Sequence, residues 1–349
     1  MIVKYSLGLD ISFETFDVNF STIDSEQKVK VIASHKFGNN LSGFKEFDKW
    51  IDKNRKQKDI RLVITMEATG VYYENCALFL FRKGHTITVV LPNKAKKYMQ
   101  STGLKSKNDK IDAKGLARMG AEQSLRSWEP MTEFFYQLRE LTRQQQCLQE
   151  HRTVLVNQIH ANENGMFLNK VVMKQLEALV TVIDAQLETI DDSIKKHVAS
   201  NDDVAEKVKK IAKIKGVGML TIATLIAETN GFALFSTSPQ LVSYAGYDVV
   251  ENQSGNHNGK TRISKKGNSR IRRALHMPAL SVVRWKQTTF LNLFERTLEK
   301  HKLKMKSYVA VQKKLLVVIY SLWKKNEEYD NNYLANKCSM EQEQIKKAA

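Results

Sequence analysis

The chain has 349 residues, of which 42% are hydrophobic, and 55 Lys and Arg against 37 Asp and Glu give a net charge of +18. This length predicts two or more domains, and the positive excess indicates nucleic acid as the partner rather than an anionic membrane surface. Three scattered cysteines without a CxxC pair exclude a disulfide framework and a zinc module. Without a signal-peptide core or a spanning apolar stretch, we expect a soluble, cytoplasmic protein with no membrane partner.

The N-terminal third alternates strand and helix patterns. Short runs rich in Val, Ile, Phe and Thr predict strands at 4–12, 15–22 and 28–36. Nearly all-apolar runs predict buried strands at 60–66 and 86–91, and helical spacing predicts helices at 41–54, 71–83, 93–101 and 108–123. The order β-β-β-α-β-α-β-α is typical of ribonuclease-H-like nucleases, in which the ends of the first and fourth strands meet.

The remainder of the chain is predicted to be helical. Two leucine- and isoleucine-rich stripes, interrupted at 162–165, predict an antiparallel helical hairpin or coiled-coil arm. This arm is either a spacer within the chain or a surface for dimerisation or RNA docking. We therefore predict an α/β plus all-α protein with a catalytic domain at 1–127, an arm at 128–202, a mainly helical domain at 203–326 and a polar tail at 327–349.

Four carboxylates fit a metal-dependent nuclease centre. Asp10 and Glu67 close two apolar strands, and Asp109 and Asp112 lie three residues apart on one helical face. Carboxylates so close together need cations to offset their repulsion, and two Mg²⁺ ions can stabilise both the attacking and the leaving oxygen of a phosphodiester. For Asp109 and Asp112 alone, stabilisation of a helix N-terminus is an equally good explanation.

Two basic segments indicate phosphate contacts. The run Lys213-Ile214-Lys215-Gly216-Val217-Gly218 is typical of a helix-hairpin-helix, whose backbone N–H groups hold a phosphate; an ordinary helix–turn–helix corner is the alternative. Residues 252–294 contain nine basic and no acidic residues. The predicted contacts there are Lys260, Arg262, Lys265, Lys266, Arg270, Arg272 and Arg273.

The first half of the second basic segment is predicted to be a polar, glycine-punctuated loop that carries serines. A serine hydroxyl beside a cationic helix can attack phosphorus while the cations offset the developing charge. A serine in such a loop is more often only a loop residue. His257 lies in the same loop, where it is a candidate for proton transfer, for a phosphate contact or for no role.

Several short motifs, in order, resemble the DEDD-type insertion-sequence transposases of the "one-ten" family, which includes the Piv-type DNA invertases. They run from about residue 5 to 285: Gly8-Leu9-Asp10-Ile11-Ser12, Glu67-Ala68-Thr69-Gly70, Lys107-Asn108-Asp109-Lys110-Ile111-Asp112-Ala113, Gly216-Val217-Gly218, Tyr244-Ala245-Gly246, Ile263-Ser264-Lys265-Lys266-Gly267-Asn268 and Arg272-Arg273-Ala274-Leu275.

The resemblance implies an N-terminal RuvC-like domain, a coiled-coil connector and a C-terminal transposase domain. It implies that Asp10, Glu67, Asp109 and Asp112 bind Mg²⁺, with Mn²⁺ as a substitute, and that a serine is the nucleophile. The family's usual Ser-Gly-Gly reads Ser254-Gly255-Asn256 here, which favours Ser254. Ser264 is the fallback, although it looks like a helix-capping residue before Lys265.

The resemblance further implies an RNA-guided recombinase. A structured noncoding bridge RNA pairs with donor and target DNA, and a homo-oligomer, from dimer to tetramer, cuts and exchanges the strands in a prokaryotic cytoplasm. Composite sites would join the acids of one protomer to the serine of another. Two alternatives remain open: a RuvC-like metal-dependent nuclease or junction resolvase that uses water, and a non-catalytic nucleic-acid-binding protein.

Overall fold

The structure is a computed structural model that describes residues 1–103, 108–251, 253–255, 257–259 and 261–331. It divides into two compact units, Met1–Pro130 and Met131–Ala349, and the finer domain boundaries stay a prediction. Lys260, and the polar tail from residue 332 onward, lie outside the described residues. Within the described part of the chain, no helix is long and apolar enough to cross a membrane.

The N-terminal unit contains a five-stranded mixed sheet. The strands are β1 (Ile2–Ile11), β2 (Thr15–Asp24), β3 (Val29–Gly38), β4 (Leu62–Glu67) and β5 (Thr86–Val90). Their order is β3-β2-β1-β4-β5, in which β1, β2 and β3 are antiparallel neighbours while β4 and β5 run parallel to β1. This is the ribonuclease-H-like arrangement that the order of the sequence elements predicts.

The two faces of this sheet differ in chemistry because successive strand residues point to opposite sides. One face carries Tyr5, Leu7 and Leu9, and it forms a single buried cluster with apolar residues of α1 (Leu41–Asn54) and α2 (Glu74–Arg82). The other face is rich in small and polar side chains and is covered by α4 (Asp109–Glu122), against which α3 (Pro92–Ser101) packs.

Helix α4 lies unusually close to β1. A methyl group at Gly8 would stand 2.0 Å from the carbonyl oxygen of Ala113 and 2.1 Å from the backbone nitrogen of Ala117. Further along the strand, the Ser6 hydroxyl donates to the carbonyl of Ala117 (2.6 Å) and the Lys4 ammonium to that of Gly120 (2.8 Å). The helix therefore runs antiparallel to β1, so its N-terminus lies towards the end of the strand that carries Asp10.

In the described residues of the C-terminal unit, the regular structure is helical apart from one small β-structure. Its arm is the antiparallel pair α5 (Glu133–Glu163) and α6 (Lys170–Ala199), joined by a bidentate ion pair of Arg152 with Asp184. The helices are separated by residues 164–169, which overlap the break predicted at 162–165 and extend it towards α6. The core of the unit is built from α7 (Asp202–Ile211), α8 (Met219–Glu228), α9 (Ser238–Tyr244), α10 (Ser269–Ala274), α11 (His276–Arg284), α12 (Thr288–His301) and α13 (Lys304–Lys325).

The segment predicted to be an irregular polar loop forms a two-tier β-hairpin instead. At its base, β6 (Val249–Val250) pairs with β9 (Arg262–Ile263), and nearer its tip β7 (Gln253–Ser254) pairs with β8 (His257–Asn258). Gly255 has a φ of 53° in the turn, as a tight two-residue hairpin turn requires. The Gly255-Asn256 dipeptide is the sequence signal for such a turn, and the loop interpretation overlooked it.

Candidate active site

Asp10 and Glu67 lie side by side at one edge of the sheet. Strands β1 and β4 are parallel, and their register pairs Leu9 with Met66, the residues that directly precede the two acids. Asp10 lies two residues after Gly8, and Glu67 two residues after Thr65. Because residues two apart on a strand point to the same side of the sheet, both carboxylates point to the face that α4 covers. The carboxyl ends of adjacent parallel strands thus bring together two residues 57 positions apart (67 − 10).

Asp109 and Asp112 belong to the first turn of α4. Asn108 is the N-cap, and its side-chain oxygen accepts a hydrogen bond from the backbone N–H of Ile111 at 2.9 Å. This cap fixes where the helix begins, and the close packing of α4 on Gly8 fixes where the first turn lies. The two acids therefore benefit from the helix dipole and also stand near the carboxylate of Asp10.

The electrostatics of Asp10 show that the predicted acids come together. Burial and, after it, the negative charges of Asp112, Asp109, Glu67 and Asp17 together raise the pKa of Asp10 to about 6. Each charge acts because a neighbouring carboxylate disfavours the ionised form. Among the described residues, however, no group of three or more His, Cys, Asp or Glu side chains is arranged closely enough to hold a metal ion.

The sequence analysis missed a fifth carboxylate. Asp17 on β2 is the register partner of Asp10, so both side chains point to the same face. Asp17 is 5% exposed, and its carboxylate pairs with the ammonium of Lys36 at 3.1 Å. The available signal was an acid in the middle of a strand that is otherwise almost wholly buried, which is costly unless the acid has a partner.

Ser254 stands near the tip of the hairpin and is exposed to solvent. Its register partner is His257, which places the backbone of that histidine directly across the ladder. Ser264 has a different role from the predicted helix cap. Its backbone N–H donates to the carbonyl of Asp248 (2.7 Å), and its hydroxyl accepts from the N–H of Lys266 (3.3 Å), so it stabilises a turn at the base of the hairpin.

The cap of α10 is Asn268. Its side-chain oxygen accepts from the backbone N–H groups of Arg270 and Ile271, while its backbone N–H donates to the carbonyl of Tyr244 at 2.7 Å. Asn268 therefore joins α9 to the basic helix α10. The two sequence motifs around Tyr244 and Asn268 prove to be the two halves of one junction that closes the base of the hairpin.

A buried carboxylate anchors this junction to the arm. Glu228 at the end of α8 is 2% exposed, and Arg143 of α5 donates to both of its oxygens, at 2.7 and 3.0 Å. The Asn268 amide donates a third hydrogen bond at 2.7 Å. Burial alone would raise the pKa of Glu228, but the hydrogen bonds and positive charge of Arg143, together with the Asn268 bond, outweigh it, and the pKa is lowered.

The basic side chains predicted to contact phosphate differ in how exposed they are and in which groups of the protein they already bond. Arg272 donates to the carbonyl of Ala245 at 2.8 Å and to those of Gly267 and Asn268, so its guanidinium holds the junction together. Arg273 pairs with Glu150 of the arm, and both side chains are about half exposed. The exposed cations at the base of the hairpin are Arg262, Lys265 and Lys266, while the Nε of Arg270 is buried without a hydrogen-bond partner among the described residues.

The glycine motif after α7 is partly explained by packing. Gly216 has a φ of 101°, and a methyl group there would lie within 3.0 Å of the backbone of Ser281 and Val282 in α11. Gly218, by contrast, faces open space and is the N-cap of α8. Lys213 pairs with Glu328 at 2.5 Å, and Lys215 is exposed. A phosphate contact at this turn stays a prediction.

Two models of protein families match this chain: one spans most of the N-terminal unit and continues through α5 of the arm, and the other lies within the C-terminal unit. Residues 7–167 match a model of a DEDD transposase of the IS110 type. Residues 208–295 match a model described as "Transposase IS116/IS110/IS902 family". Both matches are to transposases, and they fall in the order in which the sequence motifs occur.

Curated relatives are similar over most of the chain. The pilin gene-inverting protein of Moraxella lacunata is 27% identical over 94% of this chain and 98% of its own length. The transposase for insertion sequence element IS1111A of Coxiella burnetii is 24% identical over 76% of this chain and 79% of its own length. Among solved structures, a Thermus thermophilus RuvC in complex with a Holliday junction covers 37% of this chain and all of its own, at 11% identity and a TM-score of 0.27.

Proposed function

This chain belongs to the IS110-type family of transposases. We propose that it cuts and exchanges DNA strands with Ser254 as the nucleophile and with an acidic edge, the group formed by Asp10, Glu67, Asp109 and Asp112. One observation carries the proposal. Four carboxylates from three separate elements stand near enough to one another that, beyond the effect of burial, the charges of Asp112, Asp109 and Glu67 raise the pKa of Asp10. The start of a helix explains Asp109 and Asp112 by themselves, but it gives no reason for Asp10 and Glu67 to stand beside them, whereas cation-assisted phosphoryl transfer does.

The acidic edge fits a hard divalent cation in the type and charge of its donors. Carboxylate oxygens are the ligands that Mg²⁺ takes. A cation bound there would neutralise the negative charge that collects around Asp10. We propose that Asp10, Glu67, Asp109 and Asp112 hold Mg²⁺, two ions when the site is full, with Mn²⁺ as a substitute. When bound, the cations supply charge stabilisation at the oxygens of the phosphodiester.

Ser254 supplies the nucleophile in this proposal. Its hydroxyl oxygen forms a bond to phosphorus, one phosphorus–oxygen bond to a deoxyribose breaks, and the departing sugar oxygen takes up a proton while the serine proton is lost. The product is a phosphoserine ester, and rejoining reverses the same steps. The exposed position of Ser254 on a hairpin suits attack on a large substrate. The cations near its base would offset the equatorial charge.

The proposed partners are donor and target DNA, a structured guide RNA and further copies of the chain. The net charge of +18 supports polyphosphate partners. The relatives named for gene inversion and for an insertion sequence support a substrate made of two DNA sites. We propose that base pairing by the RNA supplies sequence specificity, as it does in other guided systems, and that the acids and the serine act from different protomers.

The decisive experiment compares Ser254→Ala with Ser264→Ala in full-length protein. We expect Ser254→Ala to abolish strand cleavage and the covalent protein–DNA adduct, and Ser264→Ala to retain both, because the Ser264 hydroxyl already serves a turn. Asp10→Asn should abolish cleavage without removing the serine. Normal cleavage by Ser254→Ala would instead mean that water is the nucleophile, as in a nuclease or junction resolvase.

The oligomer and the RNA have separate tests. If the acids and the serine act from different protomers, mixing inactive Asp10→Asn with inactive Ser254→Ala should restore part of the cleavage. If specificity lies in an RNA, digesting the RNA that co-purifies with the protein should remove site selection, and adding it back should restore it. Full, site-selective activity of RNA-free protein would contradict the guided mechanism.

A further inference from the structure

An exposed pair of aromatic rings stands beside the acidic edge. Phe13 lies in the turn between β1 and β2, three residues after Asp10, and Tyr72 lies in the turn after β4, five residues after Glu67. Their ring centroids are 5.7 Å apart in an edge-to-face arrangement. Phe13 is 71% exposed and Tyr72 is 44% exposed, so neither ring belongs to the core of the unit.

The two turns that carry these rings are tied together. The side-chain amide of Asn39 donates to the carbonyl of Ser12 at 2.8 Å and to that of Tyr72 at 3.1 Å, and it also approaches the carbonyl of Phe13 at 3.4 Å. The backbone N–H of Asn39 donates to Glu14 at 2.8 Å. A single residue therefore joins the backbones of both turns, the backbones from which the two solvent-facing rings project.

The distance to the acids matches the scale of a nucleic-acid strand. Three residues of extended chain span at most about 10 Å, so Phe13 lies within one or two nucleotides of a phosphate bound at Asp10. Exposed aromatic rings cost hydration free energy, and here two of them are held at the rim of a site that acts on DNA. Scattered exposed aliphatic residues would need no explanation, but two exposed rings in contact with each other at this place do.

We propose that Phe13 and Tyr72 form a platform on which an unpaired base of the DNA strand stacks next to the acidic edge. This inference rests on the proposed function, because it assumes that the phosphate to be cut lies at Asp10. It adds the state of the substrate: the strand enters the site with at least one base withdrawn from pairing.

Electrostatics favours this kind of contact over an ionic one. The carboxylates around Asp10 repel a phosphate backbone until cations are present, so the strand needs an attraction that does not depend on charge. Stacking on an aromatic face supplies it for every base, because each base has a π-face. Such a contact tolerates any sequence, as it must where the protein does not choose the target.

The test measures binding of full-length protein to single-stranded DNA oligonucleotides in the presence of a chelator, so that no cleavage occurs. Phe13→Ala and Tyr72→Ala should each weaken binding by about tenfold. Tyr72→Phe should bind as the parent protein does, because it keeps the ring. The matched control is Phe81→Ala at the far end of α2, a residue that is also partly exposed (38%) in the same unit and should leave the affinity unchanged.

Three further measurements identify the ligand. A fluorescent base analogue should be quenched by the parent protein and not by Phe13→Ala. An oligonucleotide with abasic positions should bind the parent and Phe13→Ala proteins equally weakly. The dependence of affinity on salt should be the same for both proteins, because phosphate contacts are untouched.

The proposal is overturned if both alanine variants bind single-stranded DNA normally. It is also overturned if they lose affinity only for single-stranded RNA, or if they lose as much for abasic DNA as for intact DNA. Failure here is distinct from failure of the proposed function. The binding measurements need no active site, whereas normal cleavage by Asp10→Asn would refute the acidic edge itself.

Discussion

The acidic edge and the serine hairpin present two opposite ways to place a reactive group. The carboxylates stand on a strand end and a helix start that pack so tightly that a single methyl group at Gly8 has no room. Ser254 is exposed to solvent on a short two-stranded ladder, and its position depends on a junction at the base of the hairpin. The first arrangement suits groups that must stay fixed against one another, and the second suits a group that must reach a large substrate.

This contrast predicts where each region is vulnerable. The acidic edge should fail when packing far from its carboxylates is disturbed, because core packing sets its geometry. The fold of the hairpin should tolerate changes at its tip, whereas its position should be lost when the junction of Glu228, Arg143 and Asn268 is broken. Substitutions at Gly8, at the Arg143–Glu228 pair and at Arg273, each with a matched control or contrasting variant, test the comparison.

Replacing Gly8 by Ala should have the largest effect. The new methyl group would meet backbone atoms of Ala113 and Ala117 at about 2 Å, so α4 must move, and we expect a loss of about 3 kcal/mol in the free energy of unfolding of the N-terminal unit. Cleavage should fall with it, because Asp109 and Asp112 move away from Asp10. Hydrogen exchange of the α4 amides measures the first effect, and a cleavage assay the second.

The control for Gly8→Ala is Gly165→Ala between α5 and α6. A methyl group there would meet its nearest neighbour at an ordinary 3.4 Å, so both readouts should stay unchanged. Normal stability of Gly8→Ala would show that helix and strand separate easily, and would remove the packing argument for the acidic edge.

Replacing Arg143 should destabilise the C-terminal unit more than replacing its partner Glu228. Arg143→Gln leaves a carboxylate that is 2% exposed without its cation, and we expect a loss of about 3 kcal/mol in the free energy of unfolding of the C-terminal unit. Glu228→Gln leaves a guanidinium that is 40% exposed and that water can reach, so the loss should be about 1–2 kcal/mol. Two measurements compare the variants: chemical denaturation, and hydrogen exchange of the α10 amides.

The pH dependence checks the same pair. Because the pKa of Glu228 is lowered in the folded protein, its stabilising contribution is present above the unfolded value of about 4.3 and is lost as the pH falls through the lower folded value. The parent protein should therefore lose stability in this acidic range, and Glu228→Gln should lose less. Equal acid sensitivity of the two proteins would mean that the carboxylate is not held as the structure shows.

The smallest effect is expected at Arg273. Its ion pair with Glu150 is half exposed and contributes little to stability, so Arg273→Gln should fold normally and lower the slope of log affinity for DNA against log salt by about 1. Glu150→Gln, which frees Arg273, should raise the affinity at low salt. Arg272→Gln is the contrasting variant: its guanidinium holds backbone carbonyls, so we expect it to loosen the junction. An unchanged salt slope in Arg273→Gln would exclude a phosphate contact there.

The sequence by itself determined the local elements and the chemistry at their ends. Periodicity placed the strands and helices, and the acids at the ends of apolar strands identified Asp10 and Glu67, because these signals depend on neighbours in the chain. The Gly255-Asn256 dipeptide is an equally local signal for a turn, but glycine and asparagine are just as common in irregular loops.

Tertiary structure alone decided which distant residues meet. Strand register set Asp17 beside Asp10, the approach of α4 required a glycine at position 8, and folding brought Glu228 to Asn268 and Phe13 to Tyr72. None of these pairs follows from periodicity, because a strand can shift its register by whole pleats without changing its alternating pattern. The physical reason is that local pattern fixes the side of an element that faces inward, whereas only the packing of whole elements fixes what that side touches.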